Sequence, residues 1–102
     1  MENNYWQDLF IRSASKLRTQ GNESAAVVIE SASFTLEPSI FPHDDGGFSL
    51  VVVHFHIDSE LHQKIAPNQN RICRDILDML SVLHTDRRIV RIISVKIDKK
   101  GR

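Results

Sequence analysis

The sequence holds a single cysteine, Cys73, among its 102 residues. No internal disulfide can form, which excludes a stapled secreted scaffold. Glycine and proline are sparse, at four and three, and no repeat, low-complexity run or interdomain linker is visible. Aromatic residues make up only 7% of the chain, too few to furnish a stacking platform for nucleic-acid bases. Net charge is lacking as well, with thirteen Lys and Arg against thirteen Asp and Glu. Unbroken apolar runs such as Leu50-Val51-Val52-Val53 have strand length, and none approaches the roughly 18 residues of a membrane-spanning helix. The opening segment Met1–Trp6 carries an acid and no Lys or Arg, unlike a secretory signal, so a cytoplasmic setting is expected.

What is present is the composition of one ordinary globular domain over residues 1–102, 41% apolar and 25% charged. That apolar content excludes a disordered tail. A chain this short buries only about 60–70% of its unfolded surface, enough for one core but hardly for a core with a deep cleft. Large enzyme architectures are therefore not expected.

Apolar residues at Trp6, Leu9, Phe10, Ala14 and Leu17 recur at three and four, which predicts a helix from Tyr5 to Gln20 stopped by Gly21. The stretch Ala26–Leu36, rich in β-branched and small residues, reads as a strand. An alternative is helix from Glu23 through Ser31, because Ala25, Ala26, Ile29 and Ala32 also fit a helical stripe. A loop follows over 38–47, ending in Asp44-Asp45-Gly46-Gly47, and leads into the clearest strand, Phe48 to Asp58. There Val51, Val53, Phe55 and Ile57 form a core face opposite Leu50, Val52, His54, His56 and Asp58. One or two helical turns over 59–66 stop before Pro67. Ile72, Ile76, Leu80 and Leu83 then mark a long helix to about His84. Arg88 to Asp98 closes as a strand, with Ile89, Arg91, Ile93, Val95 and Ile97 on one face.

One apolar face per strand and one stripe per helix predict an α+β two-layer sandwich, a three-stranded sheet with helices on one face. Strands one and two should pair antiparallel, and strand three, reached through a helical crossover, should run parallel to one of them. The predicted order, helix-strand-strand-helix-helix-strand, resembles that of type II KH-like modules over most of the chain. Where a nucleic-acid-binding KH domain carries Gly-x-x-Gly, this sequence has Pro67-Asn68-Gln69-Asn70. The ligand histidine of BolA-like variants is missing between residues 63 and 83.

Two constellations could carry chemistry. His54-x-His56-x-Asp58 would align two imidazoles and a carboxylate on one strand face at roughly 6.5–7 Å steps, a set suited to a divalent metal, with His62 or His43 as a further ligand. These letters resemble the opening of the metallo-β-lactamase-type motif, but Ser59 stands where the next histidine belongs. Cys73 lies on the apolar stripe of the long helix and is expected to be a core thiol, with His84 out of reach. No glycine-rich phosphate loop exists, since Asp44-Asp45-Gly46-Gly47 precedes a strand and bears acids.

Charge position is more informative than charge total. Residues 1–69 hold four basic and nine acidic side chains, residues 70–102 nine basic and four acidic. Arg71, Arg74, Arg87, Arg88, Arg91 and Lys96, from the long helix and the last strand, are expected to form one basic face. With the apolar loop residues Ile40 and Phe41, that face suggests a non-enzymatic protein-binding module, such as an adaptor, an inhibitor or an immunity- or antitoxin-like protein. The alternative is a nucleic-acid binder using the same basic face, with His84 as its aromatic. A metal-dependent activity at His54, His56 and Asp58 ranks third. No cofactor is expected, and the exposed sheet edge favours a homo-oligomer.

Overall fold

In a computed structural model of the protein, residues 3–38, 49–85 and 90–101 are described. The chain opens with α1 (Asn3–Thr19) and α2 (Glu23–Ser31), followed by β1 (Ser33–Pro38) and β2 (Ser49–Ile57). It then forms α3 (Ser59–Ile65), a single 3-10 turn over Ala66–Asn68, α4 (Gln69–Leu83) and β3 (Val90–Lys99). The sheet order is β1-β2-β3, with β1 antiparallel and β3 parallel to the central β2. The α+β sandwich is therefore present, with one helix more than the predicted order.

The predicted stripe of α1 is its core face: Trp6, Leu9, Phe10, Ser13, Ala14 and Leu17 are all buried. Its end is a Schellman turn. Gly21 takes φ +85°, Asn22 N–H donates to the Leu17 carbonyl at 2.8 Å and Gly21 N–H to the Arg18 carbonyl at 3.1 Å. Without a Cβ, Gly21 enters this left-handed conformation at no steric cost.

The strand expected over Ala26–Leu36 starts later, because residues 23–31 are helix. β-Branched Val27, Val28 and Ile29 favour a strand by propensity, but packing overrides it. As a helix the segment buries Ala25, Ala26, Val28 and Ile29 together. Arg18 also bonds Glu23 at 2.9 Å and pairs with Glu30, tying α2 to the end of α1.

β3 departs from simple alternation. Val51 pairs with Ile92 and Val52 with Ser94, so Ile93 is an extra residue, a bulge. Val90 and Ile92 are buried before it, Val95 and Ile97 after it. The face assigned to β3 from sequence is thus inverted ahead of Ile93, and Arg91 lies out of phase with the buried residues. The core sits between the sheet and the helices. Phe10 of α1 meets Phe34 of β1 and Phe55 of β2 there, with ring centroids at 4.8 and 5.1 Å. No helix among the described residues is long and apolar enough to cross a membrane.

Candidate functional site

Helices cover one side of the sheet, and the other side carries the polar half of each strand. β2 contributes His54 and His56, β1 contributes Thr35 and Glu37, and β3 contributes Lys96 and Asp98. Thr35 and Lys96 flank His54 in register, while Asp98 is level with His56.

The side chains meet along the diagonals between strands, which long polar groups can span. Nδ1 of His54 lies 2.6 Å from Oε2 of Glu37, and its Nε2 lies 2.6 Å from Oδ2 of Asp98. One ring thus joins the two outer strands across β2. A neutral imidazole owns one N–H, so only the imidazolium donates both bonds at once to two ionised carboxylates. The ring of His56 lies over that of His54, centroids 4.2 Å apart, and its Nε2 is 3.1 Å from Oγ1 of Thr35. Lys96 Nζ approaches the second Glu37 oxygen at 3.9 Å. The carboxyl of Glu37 is held below its ordinary range chiefly by the hydrogen bond from His54; partial desolvation opposes this, and the charges of His54, Lys96 and His56 reinforce it. With its side chain only 12% exposed, His54 is better shielded than the Glu37, Lys96 and Asp98 side chains around it.

The metal set read from sequence does not assemble. His54 and His56 share a face, but Asp58 caps α3, its Oδ1 accepting from Leu61 N–H at 2.9 Å. Both nitrogens of His54 are already engaged by carboxylates. Among the described residues no three His, Cys, Asp or Glu side chains are placed to hold a metal ion.

Among the described residues, the basic side chains expected on one face are divided between the two layers. Lys96 is on the helix-free side, while Arg71 and Arg74 are exposed on α4 in the helical layer. Arg91 is exposed between the buried Val90 and Ile92 and lies beside Ser81 and His84 at the end of α4. Arg87, Arg88, Ile40 and Phe41 lie outside the described residues.

His84, expected to serve a nucleic-acid surface, is buried. Its Nε2–H donates to the Val90 carbonyl at 2.8 Å, its Nδ1 accepts from the Tyr5 hydroxyl at 2.6 Å, and its ring stacks on Trp6. These bonds fasten the start of α1, the end of α4 and the start of β3 to one another. Cys73 is half-buried, and its thiol is pushed up by desolvation, with the charge of Asp98 adding to the effect. The thiol expected in the core thus packs against its edge.

Sequence reasoning missed Thr35, Glu37 and Asp98 as partners of the histidines. The available signal was the period of two in β1 and β3, which places each on a polar face, but their meeting with His54 and His56 depends on register. Comparison with family models, with curated proteins and with solved structures finds nothing that matches this chain.

Proposed function

We propose that the protein is a small, non-enzymatic, cytoplasmic protein-binding module that meets its partner with the helix-free side of its sheet. The observation that carries this reading is the fixed, mixed-charge layout of that side. Glu37 and Asp98 are held by His54, and Lys96 stands beside them, so charges of both signs occupy set positions. Such a surface selects a partner by complementary charges and repels wrong ones.

The same layout disfavours a nucleic acid on this side. A phosphate backbone laid across the sheet would meet the carboxylates of Glu37 and Asp98 beside Lys96. Arg71 and Arg74 are in the other layer, and the ring of His84 is inaccessible to a base.

A photoreactive residue at Val52, between β1 and β3, tests the reading. In cells it is expected to label one discrete protein, with labelling lost in Lys96→Glu and absent when the probe stands at Arg74 on α4. Equal labelling from both positions would sink the proposal. So would RNA or DNA binding at about 50 mM salt, where phosphate contacts are strongest, if Lys96→Glu abolished it.

A further inference from the structure

The sheet has two edges, and they are built differently. β3 carries the bulge at Ile93 and the basic residues Arg91, Lys96 and Lys99. Bulges and lysines are the devices by which native sheets discourage pairing at an edge. β1 has an unbroken register with β2, no Lys or Arg, and its proline at the last position. A proline there ends a ladder without interrupting it.

The strand is also self-complementary. In Ser33-Phe34-Thr35-Leu36-Glu37 a polar residue stands at the centre, with an apolar residue on each side and a polar one at each end. Two such strands paired antiparallel about Thr35 set Phe34 against Leu36 of the partner subunit and Ser33 against Glu37 of the partner subunit. No like charges are opposed, and each apolar side chain finds an apolar neighbour. Beside the strand runs a groove of about 440 Å³ whose floor is apolar, with Phe10, Ala14, Ile29 and Phe34, and whose lining also includes the polar Gln7, Glu30 and Ser33. Ile11, on its rim, is 68% exposed. A projecting side chain next to a hole on one surface is what a two-fold interface requires, since each copy then supplies both parts.

We infer that β1 is a dimerisation strand: two copies pair their β1 strands antiparallel about Thr35 into a six-stranded sheet, each lodging Ile11 against the groove of the other. The helix-free side stays open in this dimer, so the inference stands independently of the partner-binding reading.

Light scattering on the full chain is expected to give twice the monomer mass. Ile11→Asp, at an exposed position that should leave folding intact, is expected to weaken the dimer at least about tenfold. Thr35→Lys and Thr35→Glu place like charges across the two-fold axis and should each impair it, whereas their mixture should restore a heterodimer. On a Cys73→Ser background Thr35→Cys is expected to cross-link to itself under mild oxidation, and Ser33→Cys, which faces Glu37 of the partner subunit, is not. Far-UV circular dichroism confirms that each variant is folded. A wild type that stays monomeric to about 100 µM, well above the Kd of a standard interface, would overturn the inference. A dimer indifferent to Ile11→Asp and to both Thr35 charge variants would overturn it too, as would an extended peptide of another sequence occupying the edge of a monomer.

Discussion

The two sides of β2 are held by different forces. On the helix-covered side Val53, Phe55 and Ile57 are almost wholly removed from water. That contribution has no direction and scales with area. On the other side, His54 and His56 sit among Thr35, Glu37, Lys96 and Asp98 in bonds that depend on angle, protonation and salt. Alternation along a single strand thus separates what makes the domain stable from what makes its surface specific. Substitutions should divide the same way, with large losses of stability on one side and small losses with altered recognition on the other.

The largest effect is expected from Phe55→Ala, which removes a buried ring packed on Phe10 and should lower the urea-derived unfolding free energy by about 3–5 kcal/mol. His54→Ala comes next, since it leaves two carboxylates without their shared donor, and a loss of about 1–2 kcal/mol is expected in the same assay. If the two variants cost the same, the contrast between the sides fails. A third measurement follows stability against pH. Glu37 is depressed from an ordinary value of 4.5, so its contribution is fully present above that value and is lost as pH falls through the lower, folded-state one. Glu37→Gln should therefore flatten the fall in stability below about pH 4.5; an unchanged acid limb would show that the clamp adds nothing to folding. Smallest of all, Lys96→Ala should leave the urea midpoint within error, because exposed pairs of this kind are close to neutral, while partner labelling from position 52 should drop.

Much of this contrast was legible from residue order. The stripe of α1, the alternation of β2 and the stripe of α4 each bury one side against the same core, so each period survives as structure. α2 was harder, because Val27-Val28-Ile29 carries a local preference for strand that only the Gly21 turn and the packing of Ala25 and Ala26 overrule. In β3 the period itself breaks at Ile93, and no local rule marks which residue of a run such as Arg91-Ile92-Ile93-Ser94 will be extra. For the site, His54 and His56 stood out as a same-side pair. Their partners did not, because Glu37 and Asp98 are 17 and 44 residues from His54. Among the described residues the expected basic face is split, with Arg71 and Arg74 in one layer and Lys96 in the other, since adjacency of α4 and β3 does not decide which way each one's charged residues turn.

The extra residue at Ile93 lets one strand answer two incompatible demands. Ahead of it, Val90 and Ile92 must turn inward to the core; beyond it, Lys96 and Asp98 must turn outward, Lys96 toward Glu37 of β1 and Asp98 onto His54 of β2. An unbroken strand would satisfy one end and invert the other, pointing Arg91 into the core or Asp98 away from His54. Ile93 acts as a half-twist in the wiring, and its position decides which charges the domain shows to the outside.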